Sequence, residues 1–149
     1  MDKTKKCRWK ITPAGIEDFW DVYNLYKTLM GSEPLFSEAQ YRQYIQHKDK
    51  YICVAKDRRN RSLGLISWII WPGALSFPLD ICFVQDMIVL EDYRRKGLGK
   101  AMLEYVKSWA LDNDIHILHL QTDDPDAVEF YKYNGFESRN TGLFCFIKS

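Results

Sequence analysis

The feature that most constrains this chain is the run from Val84 to Lys100. Val84-Gln85-Asp86-Met87-Ile88-Val89-Leu90 reads as a strand. It passes through Glu91-Asp92-Tyr93 into Arg94-Arg95-Lys96-Gly97-Leu98-Gly99-Lys100. From there Leu98, Met102, Tyr105, Val106 and Trp109 recur on one side of a helix. The first turn of such a helix has unpaired backbone N–H groups at its positive dipole end. Gly97 and Gly99 remove side chains, so a phosphate can approach the backbone. Arg94, Arg95, Lys96 and Lys100 put four cations within seven residues, tempered by Glu91 and Asp92 just before them. The segment is a candidate anion cradle; the alternative is a helix N-terminus with solvated basic side chains. It lacks the GxxxxGK[ST] loop of nucleoside triphosphatases. It also lacks the full GxGxxG of dinucleotide folds, because Met102 stands three places after Gly99.

The surrounding pattern fills in a fold. Residues 7–12 alternate loosely and suit a first strand. Thr12-Pro13 reads as an N-cap followed by proline in the first helical turn. Ile16, Phe19, Trp20, Tyr23, Tyr26 and Met30 then recur at helical spacing, up to a stop at Gly31. Ser37 and Gln40 form a capping-box pattern, and Tyr41, Tyr44 and Ile45 give a short second helix its apolar side. Strands are expected from Tyr51 to Ala55, from Leu63 to Trp71 and from Phe83 to Leu90. A helix from Gly97 to Leu111, a strand from Ile115 to Leu120, a helix from Ala127 to Asn134 and a last strand from Phe144 to Ile147 follow. The order predicts an α/β fold, a single domain over residues 1–149 with a mixed central sheet flanked by helices.

Composition removes other classes. Hydrophobic residues make 46% and charged residues 28% of the 149, the balance of a soluble domain that needs no staple to fold. Lys plus Arg number 21 against 20 for Asp plus Glu, so no nucleic-acid partner held by bulk charge is expected. The apolar run from Ser62 to Leu79 is broken by Gly64, Pro72, Gly73 and Pro78, so no membrane span is expected. The basic segment from Met1 to Lys10 has no apolar stretch behind it. No secretory signal is therefore read, and a cytoplasmic location is expected. Cys7, Cys53, Cys82 and Cys145 are scattered singly and read as buried reduced thiols. His47, His116 and His119 do not cluster, so no metal is expected.

Two motifs together point to a family. Arg94 to Gly99 fits the pattern [Arg/Gln]-x-x-Gly-x-[Gly/Ala], and Asp124-Pro125-Asp126-Ala127-Val128-Glu129-Phe130-Tyr131-Lys132-Tyr133-Asn134-Gly135-Phe136 follows some 30 residues later. In this order the chain resembles the GNAT N-acetyltransferase family, whose second motif reads N-x-x-A-x-x-F-Y-x-x-x-G-F. The motifs cover residues 84–136. Asp124 stands where the family usually has Asn, which puts a cofactor contact by that side chain in doubt.

The resemblance implies a splayed sheet, acetyl-CoA as cosubstrate and a primary amine as acceptor. It implies a pyrophosphate on the N–H groups from Arg95 to Lys100, with Leu98 and Phe130 beside it. The pantetheine arm would pair like an added strand with Met87, Ile88 and Val89. A backbone N–H near Ile88 would polarise the acetyl carbonyl. Tyr131 matches the family's general-acid tyrosine. Asp86 faces the acceptor side if Met87 and Val89 flank a strand bulge, and there it would hold or deprotonate the amine, with Glu91, Asp124 or a water as other candidate bases. Leu35, Phe36, Gln85 and Tyr133 would meet the acceptor. The segment from Gln85 to Val89 and the ending Phe146-Ile147-Lys148 resemble glucosamine-6-phosphate N-acetyltransferases, so an amino-sugar phosphate is the first acceptor to try. Polyamines, aminoglycosides, protein amino termini and a non-catalytic CoA-binding module are the other readings. Family habit and the aromatic-rich stretches at residues 77–83 and at the last strand suggest a homodimer.

Overall fold

The computed structural model describes residues 8–139 and 142–148, so Cys7 and the rest of the basic N-terminal run lie outside the described residues. Seven strands form one sheet: β1 (Lys10–Pro13), β2 (Lys50–Lys56), β3 (Ser62–Trp71), β4 (Ile81–Val89), β5 (Ile117–Leu120), β6 (Glu137–Arg139) and β7 (Gly142–Phe146). Their order is β1-β2-β3-β4-β5-β7-β6. Every neighbouring pair is antiparallel except β4 and β5, which run parallel. The helices are α1 (Phe19–Met30), α2 (Glu38–Gln46), α3 (Leu98–Asp112) and α4 (Pro125–Tyr133). The expected mixed α/β sheet is present.

Alternation along the strands separates two cores. Ile52, Val54, Leu65 and Ile88 pack with Phe19, Val22 and Leu25 of α1 and Tyr41 of α2. Cys53, Ile66, Trp68, Cys82 and Val84 pack on the other face with Met102, Leu103 and Val106 of α3 and Tyr131 of α4. Burial pushes the Cys53 thiol up to about 11 and the Cys82 thiol to about 12. Both stay protonated, and Cys53, Cys82 and Cys145 are free and buried, as the scattered spacing implied.

Local signals place the helix ends. Ser37 Oγ accepts from the Gln40 N–H at 3.1 Å, and the Gln40 side chain accepts from the Ser37 N–H at 2.8 Å, so the capping box forms. Gly31 ends α1 in the left-handed region. The start of α1 differs from expectation. Pro13 closes β1 opposite Cys53, and a 3₁₀ turn over Ile16–Asp18 precedes the helix. There the Asp18 carboxylate, buried and paired with Lys56, accepts from the Gly15 N–H at 2.8 Å. That pair, not Thr12-Pro13, sets the turn. The strand β6 was also not anticipated: Glu137, Ser138 and Arg139 are all exposed and carry no apolar alternation.

The detail that matters most lies in β4. Ser67 of β3 faces Asp86, but Trp68 faces Val84, so Gln85 is an extra residue without a partner. A bulge of one residue exchanges the two faces of a strand. Before it, Cys82 and Val84 point to α3; after it, Met87 and Val89 do, while Ile88 turns to α1. The buried Ser67 hydroxyl accepts from the Asp86 N–H at 3.2 Å and fastens the bulge. Ser67→Ala is expected to lower the free energy of unfolding by about 1 kcal/mol, the usual net worth of one such bond. Urea denaturation checks this, and an unchanged midpoint would mean that the hydroxyl does not secure the bulge.

Candidate active site

The bulge coincides with the place where β4 leaves β5. The two strands pair only at Cys82 with Leu118 and Phe83 with His119, and from there β4 continues to Val89 paired with β3 and without β5. The Leu90 N–H donates to the Leu63 carbonyl at 2.9 Å, which fixes the phase of the ladder. Ile88 turns its backbone groups to β3; those of Met87 and Val89 face the gap. The N–H near Ile88 expected from the sequence is therefore that of Met87 or Val89, since Ile88 spends its own on β3. The Val89 carbonyl accepts from Arg94 Nε at 3.0 Å, which ties the loop to the strand.

One cleft, about 530 Å³, opens at the end of this edge. Its walls include Met87, Ile88, Val89, Arg94, Arg95, Gly97, Gly99, Lys100, Asp124 and Phe130, all singled out from the sequence. Arg95 (φ 59°) and Gly97 (φ 88°) adopt left-handed backbone, which curls the loop into a nest. The first bond of α3 runs from the Ala101 N–H to the Gly97 carbonyl. The N–H groups of Leu98, Gly99 and Lys100 have no partner within the helix and carry its positive end. At Gly99 a Cβ would stand 3.1 Å from the Phe130 ring, so the absence of a side chain keeps this end of the cleft open.

Two residues in this set are placed differently. Leu98 is 1% exposed, so only its backbone is available to the cleft. Lys96 lies with its ammonium 5.6 Å from the centre of the Tyr93 ring and does not line the cleft. Asp124 caps α4, its carboxylate accepting from the Asp126 N–H at 3.0 Å. Asp124 thus fills the N-cap of α4, a role Asn performs equally well.

A second cleft, about 420 Å³, lies on the α1–α2 side and is lined by Leu35, Phe36, Gln85 and Asp86, as expected. The sequence reading missed Tyr26, Tyr41 and Tyr44, which also line it. Tyr26 had been counted in the apolar stripe of α1, where its hydroxyl leaves no periodic signal. That hydroxyl donates to Asp86 Oδ2 at 2.8 Å. Tyr133 does not belong here: it is 87% exposed and lines neither cleft. Two positions along a helix is about 200° of rotation, so Tyr133 points away when Tyr131 points in.

Tyr131 is buried against Phe130 and Phe136, and it is not among the residues that line either cleft. Its phenol is pushed up to about 12, first by burial and then by the negative charge of Asp86. The same two causes raise Tyr44 to about 12 and Tyr26 further. One carboxylate is thus felt by phenols on both sides of the gap, and all three stay protonated at neutral pH. Among the described residues no three His, Cys, Asp or Glu side chains are grouped to hold a metal ion. No helix among them is long and apolar enough to cross a membrane.

Comparison with known proteins points the same way. The profile of the Acetyltransferase (GNAT) family matches residues 16–136. The "Probable N-acetyltransferase san" of Drosophila melanogaster is 36% identical over 62 residues, covering 40% of this chain and 34% of that protein. Streptothricin acetyltransferase A of Bacillus subtilis is 38% identical over 55 residues, covering 36% of this chain and 32% of that protein. Each match thus spans about a third of the curated relative. The aminoglycoside 6′-N-acetyltransferase of Acinetobacter baumannii shares the fold, with a TM-score of 0.79 at 16% identity over 95% of this chain and 97% of that one.

The electrostatic coupling has a direct check. Asp86→Asn removes the negative charge, so the phenols of Tyr26, Tyr44 and Tyr131 should all titrate at lower pH. Tyrosine labelled at Cζ and followed by NMR through alkaline pH reads this; phenol titrations unmoved in the variant would show that burial alone raises them.

Proposed function

The chain belongs to the acetyltransferase (GNAT) family, and from that premise we propose that it is an acetyl-CoA-dependent N-acetyltransferase acting on a primary amine of a small molecule. The observation that carries this reading is a single strand bordering two clefts. A cleft lined by Arg94, Arg95, Lys100 and the start of α3 lies at its open end, and an aromatic cleft with one carboxylate lies beside its bulge.

The residues fit the cosubstrate. Leu98, Gly99 and Lys100 offer backbone N–H groups to a pyrophosphate, with Arg94, Arg95 and Lys100 supplying charge. The free peptide groups of Met87 and Val89 suit an amide-rich arm that pairs as an added strand, and Phe130 closes the wall. When bound there, acetyl-CoA supplies an acetyl group activated as a thioester.

The chain's own groups then have distinct tasks. An alkylamine with a pKa near 10.4 arrives protonated at neutral pH and must lose a proton before it can attack. Asp86 holds the ammonium and takes that proton, directly or through a water. Glu91 lines neither cleft and Asp124 is spent on capping α4, which leaves Asp86 the best placed of the acids considered. The N–H of Met87 or Val89 steadies the charge that develops on the carbonyl oxygen. Tyr131, held protonated at its phenolic oxygen, delivers that proton to the sulfur as the carbon–sulfur bond breaks. Counted from the ammonium, the nitrogen gains an acetyl group and loses two protons, one to Asp86 before attack and one as the tetrahedral adduct collapses; the sulfur gains one from Tyr131, whose phenolate regains one, and a single proton is released to solvent.

An amino-sugar phosphate fits less well than the sequence suggested: among the described residues no cation lines the cleft beside Asp86, so a phosphate there would lack a partner. A homodimer is kept as part of the proposal. Trp71, Phe77 and Leu79 at the β3–β4 turn are about half exposed and Leu75 wholly so. Sedimentation showing only a 17.6 kDa species at micromolar concentration would contradict it.

Two variants test the chemistry. Tyr131→Phe keeps the ring and loses the proton, so kcat should fall about 10²-fold while acetyl-CoA affinity stays within a few-fold. Unchanged turnover would remove Tyr131 from the role of acid. Gly99→Val should raise the acetyl-CoA dissociation constant at least tenfold, because its methyl groups meet Phe130 and fill the cleft. Ordinary affinity in a folded Gly99→Val protein would sink the cradle assignment.

A further inference from the structure

The walls of the second cleft specify more than an amine. Among the described residues that line it, Asp86 is the only charged side chain. Most of the rest is apolar or aromatic, notably Phe36, Tyr44 and Ile52. Some polar groups are committed: the Tyr41 hydroxyl donates to the Gly15 carbonyl at 2.7 Å, the Tyr26 hydroxyl to Asp86 Oδ2 at 2.8 Å, and the Gln40 side-chain oxygen accepts from the Ser37 N–H at 2.8 Å. The Asp86 N–H is engaged by Ser67 Oγ at 3.2 Å. The backbone of Asp86 is thus fixed by Ser67 and its carboxylate is held at Oδ2 by Tyr26, with Oδ1 left to the cleft. We infer that the acceptor is a hydrophobic monoamine: one ammonium on an aromatic or branched aliphatic body, without phosphate, carboxylate or a second cation. This rests on the acetyltransferase reading for the word acceptor, but its binding consequence stands on the cleft alone.

Each exclusion follows from charge and hydrogen bonding. A single ammonium is neutralised by Asp86 and favoured by the surrounding ring faces. A second ammonium, as in a polyamine or an aminoglycoside, would meet apolar walls with no counter-charge. A phosphate would meet Asp86 and no cation. Among the described lining residues, the many hydroxyls of a sugar would find the Tyr44 hydroxyl and the Gln40 and Gln85 amides, while Tyr26 and Tyr41 already donate elsewhere. Size agrees: a cavity of about 150 Å³ holds a benzene, so 420 Å³ takes a body of roughly ten to fifteen heavy atoms.

Tyr26 is the positioning residue in this scheme. It touches no reacting atom, and it fixes which oxygen of Asp86 faces the amine. Its loss should relax selectivity for charge more than it reduces packing.

The test uses the full chain and defined probes. Calorimetric titration compares 2-phenylethylamine and hexylamine with spermidine, kanamycin, glucosamine 6-phosphate and the uncharged analogue 2-phenylethanol. CoA release with acetyl-CoA is measured for the same amines. The monoamines should bind at least tenfold tighter than the polycations and the sugar phosphate, and should give the highest kcat/KM. Asp86→Asn should cost 2-phenylethylamine at least tenfold in affinity while leaving 2-phenylethanol unchanged. Tyr26→Phe should narrow the gap between amine and alcohol several-fold. Spermidine, kanamycin or glucosamine 6-phosphate bound or turned over best would overturn the inference and leave the acetyltransferase reading intact. Monoamine binding with no CoA release from any amine would support the cleft's selectivity and defeat that reading instead. Failure of every monoamine to bind the folded wild-type protein would overturn the inference outright.

Discussion

The architecture of the site depends on one unpaired residue. Gln85 adds a single step to β4 that β3 does not match, and from that point the two faces of the strand change places. Without it, Asp86 would point toward α3 and be packed among Val84, Met102 and Leu103. A carboxylate there would be desolvated without a partner. With it, Asp86 reaches the α1–α2 side, where Tyr26 receives it, and Met87 comes round to face Gly99 and the α3 loop. The same irregularity falls next to the last pairing of β4 with β5, so the strand gains a free edge as its faces exchange.

This arrangement lets a four-residue stretch serve two chemistries without mixing them. Side chains after the bulge divide between the faces, and backbone groups of Met87 and Val89 point into the gap between the two clefts. Helix termini supply the rest. The N-terminus of α3 brings uncommitted N–H groups to one cleft, and the neighbouring turn brings Arg94 back to Val89. The family match over residues 16–136 takes in all of these parts, from the 3₁₀ turn before α1 to the glycine after α4.

Much of this was readable from residue order alone, where one residue type answers to one physical need. Ser37 with Gln40, Gly31 after α1, and the glycines of the basic loop each mark a backbone event that few other residues permit. The bulge left no such mark of its own and entered only as the condition, placed about Met87 and Val89, under which Asp86 faces the acceptor; the structure has it at Gln85. Ile81-Cys82-Phe83-Val84 and Met87-Ile88-Val89 are apolar at every position, so either phase of alternation satisfies the pattern and a slip between them is invisible. β6 was missed for the opposite reason, since its three residues are all exposed and polar. Tyr26 and Tyr44 were hidden by amphipathy: a tyrosine in a helical stripe counts as apolar until a carboxylate from 60 residues away meets its hydroxyl. Tyr133 failed on geometry, because proximity in sequence to Tyr131 is not proximity around a helix.

The free edge of β4 also bears on how this protein behaves as a material. A strand with unpaired peptide groups is a template for strands of other molecules, and proteins usually blunt such edges with charge or cover. Here the blunting is partial. Arg94 occupies the Val89 carbonyl and sets a cation at the end of the strip, while the peptide groups of Met87 remain available to whatever strand-like chain arrives. A ligand lying along that edge would also act as a cover against self-association. Solubility and occupancy would then be linked, with concentrated ligand-free protein the more prone to assemble edge to edge.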